Sequence, residues 1–327
     1  MSDPIYPKNA LILAPLSGFT DLPYRRSARR HGAFFTFAEM VDAASLAHTP
    51  ERALALAKRG DDEEFLGVQV VGAEHEWLKR SCDELNAGDF SLLDFNLGCP
   101  VAKVVKKGAG AALGRRVDAA LACFELLTRY SRFPVTAKFR ILTHDNPAPT
   151  VELALGLAEL GARALTVHGR TLEDFYTGSV RADIISAVRE AVKPYGIPVI
   201  ANGGVRDKTT YEALRRESGC LLVMVAQGAM GNPWIFDEIL NGAPPPTLEE
   251  WKLELRTHVA EMVELYGEKS ALRQARKIIH DYLKGRGFAS VYRSRASLLS
   301  TFREFEAWLA EARPAAESAS RPFRVTG

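Results

Sequence analysis

The chain has 327 residues, of which 47% are hydrophobic and 25% are charged, a composition that excludes a disordered protein. This length exceeds what a single hydrophobic core usually serves, so we predict one large domain and one smaller domain. The formal net charge of +2 is too small to indicate a polyanionic partner, and any basic surface has to be local.

Targeting and cysteine patterns indicate a protein of the cytoplasm. No apolar run approaches the roughly 18 residues that span a bilayer, and residues 1–4 lack the features of a signal peptide. The four cysteines are far apart and form no CxxC pair, so we predict free thiols and neither a metal site nor a disulfide framework.

Eight short apolar runs alternate with segments of helical periodicity along the first three quarters of the chain. The runs are residues 10–16, 34–40, 65–71, 92–97, 135–139, 164–167, 199–201 and 221–225. Continuous apolar strands are typical of parallel sheets covered by helices, and eight β/α units predict a TIM barrel over residues 1–242. The alternative is a doubly wound open sheet, but the turn at residues 14–18 does not fit G-x-G-x-x-G.

Three prolines at 244–246 indicate a stiff linker, and helical patterns follow it without strand signals. Thr247 is a candidate helix cap with early acidic residues behind it. We therefore predict a small C-terminal α-helical bundle after the barrel, in a domain over residues 247–327 whose last part, from Arg313 to the end, is a frayed tail.

Polar side chains recur at the same end of nearly all predicted strands. They are Ser17, Gln69, Asn96, Lys138, Arg140, His168, Arg170, Asn202 and Gln227. A polar group in a strand buried on both faces is costly unless it meets a ligand or partner, and barrel active sites form at this end. Each residue alone has a structural alternative, such as Gln69 capping backbone groups, but together they predict a site.

Cys99 lies on the turn Asn-Leu-Gly-Cys-Pro at residues 96–100, directly after a predicted strand. This position suits an acid or nucleophile, although cysteine is also common as a small buried hydrophobe.

Glycine-rich turns at 202–205 and 227–231 follow the last two strands, where barrels often hold phosphate. With the cation of Lys138 they indicate FMN, while the alternative for the glycines is tight turn geometry alone.

Six segments, in order along nearly the whole chain, resemble motifs of the tRNA-dihydrouridine synthases, most of all the bacterial B-type subgroup. They are residues 14–21, 69–72, 96–100, 167–171, 202–205 and 230–236. The resemblance implies an FMN-bound barrel, a helical tRNA-binding domain, and reduction of the uracil 5,6 double bond with NADPH as reductant.

The resemblance also implies roles for individual residues. Cys99 matches the donor of a proton to uracil C5, while hydride passes from flavin N5 to C6; a thiol suits this task because charge develops at C5. The implied cofactor-binding residues are Pro15, Leu16, Ser17, Gln69, Asn96, Lys138, His168, Asn202, Gly203, Gly204, Ala226, Gln227 and Gly228.

Three segments depart from the family pattern. Ala226 and Gln227 stand where Gly-Arg is usual, so a guanidinium contact to phosphate is lost and backbone N–H groups remain to hold it. Leu16 and Ser17 replace a common Met-Ala pair. Residues 141–147 replace the usual Gly and Trp after Arg140, which predicts a different substrate placement near that loop.

Basic residues cluster between positions 273 and 295, with one acid, Asp281, and interleaved rings at Tyr282, Phe288 and Tyr292. The basic side chains of such a segment could neutralise tRNA phosphates, and its rings could stack on bases. The alternative is that these charges only form a solvated helix face. We predict substrate contacts from residues of this cluster, of the stretch after Cys99 and of the strand ends: Arg273, Arg276, Lys277, Arg293, Lys103, Lys106, Arg140 and Arg170.

These observations together predict a cytoplasmic, monomeric, FMN-dependent tRNA-dihydrouridine synthase that uses NADPH. One alternative is a flavin barrel oxidoreductase of a small pyrimidine, similar to a dihydroorotate dehydrogenase. Others are an RNA-binding protein that has lost its flavin and an RNA methyltransferase that uses flavin and folate on the same scaffold.

Overall fold

The computed structural model describes residues 5–7 and 10–314. The predicted tail lies almost entirely outside this range, since only Arg313 and Pro314 of it are described. Among the helices of the described chain, none combines the length and the apolarity needed to cross a membrane.

Eight parallel strands form a closed barrel in chain order, which confirms the predicted TIM barrel. The strands are β1 Leu11–Leu13, β2 Phe35–Asp42, β3 Leu66–Val71, β4 Leu92–Leu97, β5 Val135–Arg140, β6 Leu165–His168, β7 Val199–Asn202 and β8 Leu222–Val225. The barrel closes because β1 pairs with both β2 and β8.

Fifteen α-helices lie in the described chain. They are α1 Leu22–Arg30, α2 Ala43–His48, α3 Pro50–Leu54, α4 His75–Asn86, α5 Ala102–Val105, α6 Ala111–Gly114, α7 Val117–Tyr130, α8 Ala148–Glu159, α9 Ala182–Val192, α10 Lys208–Ser218, α11 Ile235–Asn241, α12 Leu248–Tyr266, α13 Glu268–Leu283, α14 Ser290–Ala296 and α15 Phe302–Glu311.

An apolar core fills the amino end of the barrel. Ile12 of β1, the first residues Phe35 of β2 and Leu92 of β4, and Ala164 just before β6 belong to this core and are all fully buried. Toward the carboxyl ends of β5, β6 and β7 lie the polar side chains of Lys138, Arg140, His168 and Asn202.

The described chain divides into two compact units. The first takes in the chain up to Leu22, together with Ala33–Val205 and Thr209–Ala226, and contains the barrel. The second contains Pro23–Gly32, Arg206–Lys208 and the chain from Gln227 onward. The domains predicted from the sequence had assigned both 23–32 and 227–242 to the barrel.

Polar contacts explain why α1 groups with the second unit. The Ser27 hydroxyl donates to Glu254 of α12 at 2.7 Å, and the Arg30 guanidinium donates to the same carboxylate at 2.7 Å. Hydrogen bonds from His31, Arg30 and Ser27 lower the pKa of Glu254 to about 2, against the effect of burial. This long-range pairing could not be predicted from the sequence, because α1 directly follows the first strand and was assigned to the barrel.

The second unit has its own aromatic core. Thr247 and Glu250 form a capping box at the start of α12, as the sequence indicated. Tyr282 and Phe288 are 1% and 6% exposed, and their ring centroids lie 6.4 and 4.9 Å from that of Trp251. The prediction that these two rings are available to RNA bases is therefore wrong, because the hydrophobic core of the helices needs them.

Candidate active site

Five of the predicted site residues occupy neighbouring positions at the carboxyl ends of the strands. Asn96 of β4 is in register with Lys138 of β5, while Arg140 of β5 pairs with His168 of β6, which pairs with Asn202 of β7. The barrel therefore brings together a thiol-bearing turn, a lysine, an arginine, an imidazole and two amides.

The turn that carries Cys99 is held from both sides. The Asn96 Oδ1 atom accepts from the backbone N–H groups of Gly98 at 3.1 Å and Cys99 at 2.8 Å. On the other side, Ala111 N–H donates to the Cys99 carbonyl at 3.0 Å, and a Cβ added to Gly110 would come within 2.7 Å of that oxygen. The close approach requires glycine at position 110.

Cys99 is partly exposed, whereas Cys82, Cys123 and Cys220 are buried. Burial raises the pKa of the Cys99 thiol, and the nearby charges of Arg140 and Lys138 partly oppose the shift. The thiol is consequently protonated at neutral pH, which suits a proton donor better than a thiolate nucleophile.

Lys138 brings a positive charge into the barrel. Its Nζ atom donates to Asn202 Oδ1 at 2.9 Å, and Asn202 in turn donates to the Met224 carbonyl at 2.9 Å. Burial and the charge of Arg140 lower the pKa of Lys138 to about 8, so the ammonium is poorly solvated. An anionic ligand beside Lys138 would restore the lost stabilisation of this charge.

His168 presents a polar atom that the protein leaves unpaired. The residue is 7% exposed, and its Nε2 atom has no hydrogen-bond partner among the described residues. Burial and the charges of Lys138, Arg140 and Arg170 hold the pKa of His168 well below its usual value, so the imidazole is neutral. A neutral ring with a free nitrogen suits a hydrogen bond to a ligand.

Gly203 lies against this imidazole. Its φ of +121° disfavours any other residue, and an added Cβ would lie 2.8 Å from His168 Cδ2. The next residue, Gly204, also has a positive φ, so the backbone turns sharply after β7. The backbone after β7 therefore lies close to the His168 ring and to Val180, and position 203 has no space for a side chain.

Arg140 and Arg170 direct their guanidinium groups to carbonyls of the protein. Arg140 is 3% exposed and donates to Gly98 O and to Thr171 O, both at 2.8 Å. Arg170 is 8% exposed and donates to Gly178 O through two nitrogens. Both arginines thus brace loops at the carboxyl end, and their contact with substrate stays a prediction.

The loop that departs from the family pattern, residues 141–147, is tied to the loop after β6. The His144 ring bonds the Asp174 carboxylate at 2.9 Å, and Asp174 also accepts from Thr171 N–H at 2.7 Å. The Arg181 guanidinium donates to the His144 carbonyl. These bonds restrain the two loops as one structure.

The remaining predicted cofactor residues lie at the ends of β1 and β8. Pro15 and Leu16 are partly exposed and Ser17 is exposed, on a turn where Gly18 N–H donates to the Glu39 carboxylate. Ala226 is partly exposed after β8, whereas Gln227 and Gly228 open the second unit in the 3₁₀ turn Gln227–Ala229. Their contact with a cofactor stays a prediction.

Sequence reasoning missed Asp94 and Thr136. Asp94 is 1% exposed on β4 and accepts from Gln69 Nε2 and Thr136 Oγ1, each at 2.6 Å. Burial raises the pKa of Asp94 to about 6, although the two hydrogen bonds and Lys138 oppose the shift. The available signal was an acid inside the apolar run Leu-Leu-Asp-Phe at residues 92–95.

Only some of the basic residues between positions 273 and 295 are exposed on the surface of the second unit. Arg273, Lys277 and Arg293 are exposed, while Arg276 is partly buried and donates to the Leu299 carbonyl at 3.2 Å. Arg286, which we had counted in this basic cluster, is 3% exposed and donates to Gly231 O at 2.9 Å. Arg286 is therefore a structural residue of the unit.

Lys103 and Lys106, the predicted contacts after Cys99, are exposed on and just after the short helix α5. Within residues 5–7 and 10–314, no group of three or more His, Cys, Asp or Glu side chains is arranged to hold a metal ion.

The fold and the site define a TIM-barrel protein with a protonated thiol, a partly buried cation and a neutral imidazole at the carboxyl ends of its strands. A sequence model of the dihydrouridine synthase (Dus) family matches residues 12–319. The chain belongs to this family.

Several relatives cover most of this chain. A probable tRNA-dihydrouridine synthase of Rhizobium leguminosarum bv. phaseoli is 34% identical over 85% of this chain and 86% of its own length. The tRNA-dihydrouridine synthase B of Pseudomonas aeruginosa is 34% identical over 84% of each chain, and a probable tRNA-dihydrouridine synthase of Rickettsia prowazekii is 32% identical over 88% of this chain and 90% of its own. The predicted resemblance is thus confirmed.

Proposed function

We propose that the protein reduces the 5,6 double bond of uridines in tRNA to dihydrouridine, with FMN in the barrel and NADPH as reductant. Membership of the dihydrouridine synthase family supports this function, as do the names of its relatives. The observation that carries the proposal is the protonated, partly exposed thiol of Cys99 on a turn beside Lys138 and Arg140.

The residues present fit a flavin. Lys138 offers a poorly solvated cation, and His168 offers an unpaired Nε2 atom beside the bare backbone of Gly203. When bound and reduced, FMN supplies hydride to C6 of the uracil ring. The cation of Lys138 favours an anionic form of the ring system, and the neutral His168 provides a hydrogen bond without a competing positive charge.

Cys99 then completes the reduction. A new bond to hydrogen at C6 places the electron pair of the double bond on C5 and the C4 carbonyl, and the Cys99 Sγ–H proton moves to C5. The thiolate left behind regains its proton from solvent. Lys138 and Arg140 stabilise that thiolate, because their charges lower the pKa of Cys99 against the effect of burial.

A small pyrimidine is the alternative substrate, and the exposed basic residues Arg273, Lys277 and Arg293 favour RNA over it. The test uses the purified protein, with flavin absorbance and NADPH consumption as readouts. We expect bound flavin and NADPH oxidation that depends on unmodified tRNA. Stimulation by orotate or free uridine instead of tRNA would contradict the proposed substrate, and a colourless protein would contradict the proposed cofactor.

Lys138→Met should reduce FMN affinity by about 10- to 100-fold, because a charge-assisted interaction in a buried site contributes roughly 1.5–3 kcal/mol. The variant should fold normally, since it removes a charge that the barrel solvates poorly. Equilibrium dialysis against FMN measures the affinity, and thermal melting of the flavin-free protein measures the fold. Lys193→Met, whose side chain is 78% exposed, is the control. Unchanged FMN affinity in Lys138→Met would remove Lys138 from the cofactor site.

Replacing Arg273, Lys277 and Arg293 together by Gln should weaken tRNA binding and flatten its dependence on salt. If each side chain neutralises one phosphate, the slope of log K against log salt concentration should fall by about 2 to 3 in magnitude. Filter binding over a salt series measures the slope. The control replaces Lys193 and Arg216, exposed basic residues of the barrel unit. Equal slopes in wild type and the triple variant would place the RNA surface elsewhere.

A further inference from the structure

Asp94 begins a continuous path of hydrogen bonds that ends at Cys99. Gln69 Nε2 donates to Asp94 Oδ2 at 2.6 Å, and Asn96 Nδ2 donates to Gln69 Oε1 at 2.7 Å. Asn96 Oδ1 then accepts the backbone N–H of Cys99 at 2.8 Å. Every donor along this path points toward Asp94.

The direction of the path is fixed at its two ends. A backbone N–H only donates, and an ionised carboxylate only accepts. The two amides between them each have one accepting and one donating end, so a flip of Gln69 forces a flip of Asn96. A flipped Asn96 would turn its NH₂ group against the N–H groups of Gly98 and Cys99, and the turn would lose both hydrogen bonds.

The ionised carboxylate of Asp94 is destabilised by its burial in the barrel. Burial raises the pKa of Asp94 to about 6, and the same charge contributes to raising the pKa of the buried Tyr6 hydroxyl. The favourable neighbours are Gln69, Thr136 and the cation of Lys138. A neutral side chain at position 94 would avoid the desolvation of a charge, so the carboxylate is not explained by stability.

We propose that Asp94 is a positioning residue, which holds Gln69 and Asn96 in one amide orientation and thereby fixes the turn that presents Cys99. The inference rests on the proposed function, in which Cys99 is the proton donor. Asp94 has no contact with substrate in this role and acts only through the two amides.

The test compares Asp94→Asn with Asp94→Leu in the purified flavoprotein. Asparagine keeps an acceptor for Gln69 and directs its NH₂ group to the Thr136 hydroxyl, which then accepts, so the direction of the path survives. Leucine has a similar volume and no acceptor, so the path loses its fixed end at position 94 and the two amides are held only from the Cys99 turn. A role of Asp94 in packing alone would not distinguish these two variants by their effect on Cys99.

The first readout is the alkylation of Cys99 by iodoacetamide, which does not depend on enzymatic activity. The reaction reports on Cys99 because the other three cysteines are buried. We expect Asp94→Leu to raise the alkylation rate by about tenfold, as the turn loosens by the equivalent of one net hydrogen bond. Asp94→Asn should stay within about twofold of wild type. The second readout is reoxidation of the reduced flavin by tRNA, which should slow by about 10²-fold in Asp94→Leu alone.

Glu63→Met is the matched control. Glu63 is also a buried carboxylate, 2% exposed, and it accepts from Gly60 N–H at 2.9 Å near the amino end of β3. Its loss should lower the melting temperature and leave Cys99 alkylation unchanged. Should Asp94→Leu fail to fold, Gln69→Met interrupts the same path and should raise alkylation equally.

Wild-type alkylation in Asp94→Leu, or equal effects of the Asn and Leu variants, would overturn the proposal. A wild-type protein without tRNA-dependent activity would contradict the proposed function. In that case the alkylation comparison would still test the role of Asp94.

Discussion

Replacing Cys99 by alanine will slow the oxidation of the reduced protein by tRNA by about two to four orders of magnitude, the usual loss when a positioned general acid is removed. Flavin reduction by NADPH will stay near the wild-type rate, because that half-reaction needs no proton from the thiol. Stopped-flow absorbance of the flavin separates the two steps in one sample.

Serine at position 99 should restore little activity, since a hydroxyl is a far weaker acid than a thiol with a pKa of about 8.5. Cys123→Ala is the matched control, because it removes a buried thiol of α7 that is not among the predicted site residues. If Cys99→Ala reoxidised with tRNA as fast as wild type, Cys99 would be a packing residue and the proton would come from another group.

Gly231→Ala will destabilise the second unit by more than about 4 kcal/mol, a loss typical of severe backbone clashes. Gly231 has a φ of +62°, and an added Cβ would overlap the Asp281 carbonyl group and lie 2.5 Å from Tyr282 N. Neither contact is with a flexible side chain, so the Gly231 loop or α13 would have to move. Urea denaturation followed by tryptophan fluorescence measures the change, since Trp234 and Trp251 lie in this unit.

Gly242→Ala measures the cost of a left-handed backbone conformation without a steric clash. Gly242 has a φ of +67° at the end of α11, and an added Cβ would meet only the Lys208 Nζ atom, at an ordinary 3.6 Å. This variant should lose only about 1–2 kcal/mol, the cost of a left-handed conformation. Similar losses in the two variants would show that the close approach of Gly231 to α13 contributes nothing.

The eight strands could be predicted because strands of a parallel barrel are buried on both faces and therefore appear as continuous apolar runs. The same reasoning ended three strands too early. The polar residues Arg140, His168 and Asn202 lie one position beyond the apolar runs and are the last residues of β5, β6 and β7. Ladder pairing between these neighbours extends the strands into the site, where polar side chains find partners or a ligand.

Which side chains are buried could not be predicted from the local sequence. Tyr282, Phe288 and Arg286 lie in a segment rich in exposed positive charge, yet contacts with Trp251 and Gly231 help to bury them. Asp94 was overlooked because its hydrogen-bond partners are distant in sequence. Gln69 of β3 and Thr136 of β5 reach its carboxylate only in the folded barrel. In each case the deciding contact comes from another element of the fold.

The assignment of α1 to the second unit has a consequence for the order in which the protein is made. Ser27 and Arg30 leave the ribosome more than 200 residues before Glu254, the carboxylate that they bind. Until translation has passed α12, Ser27 and Arg30 of α1 lack the carboxylate that they bind in the complete chain. A fragment cut in the proline linker at 244–246 would stay in that state, so it would be a poor substitute for the barrel of the complete chain.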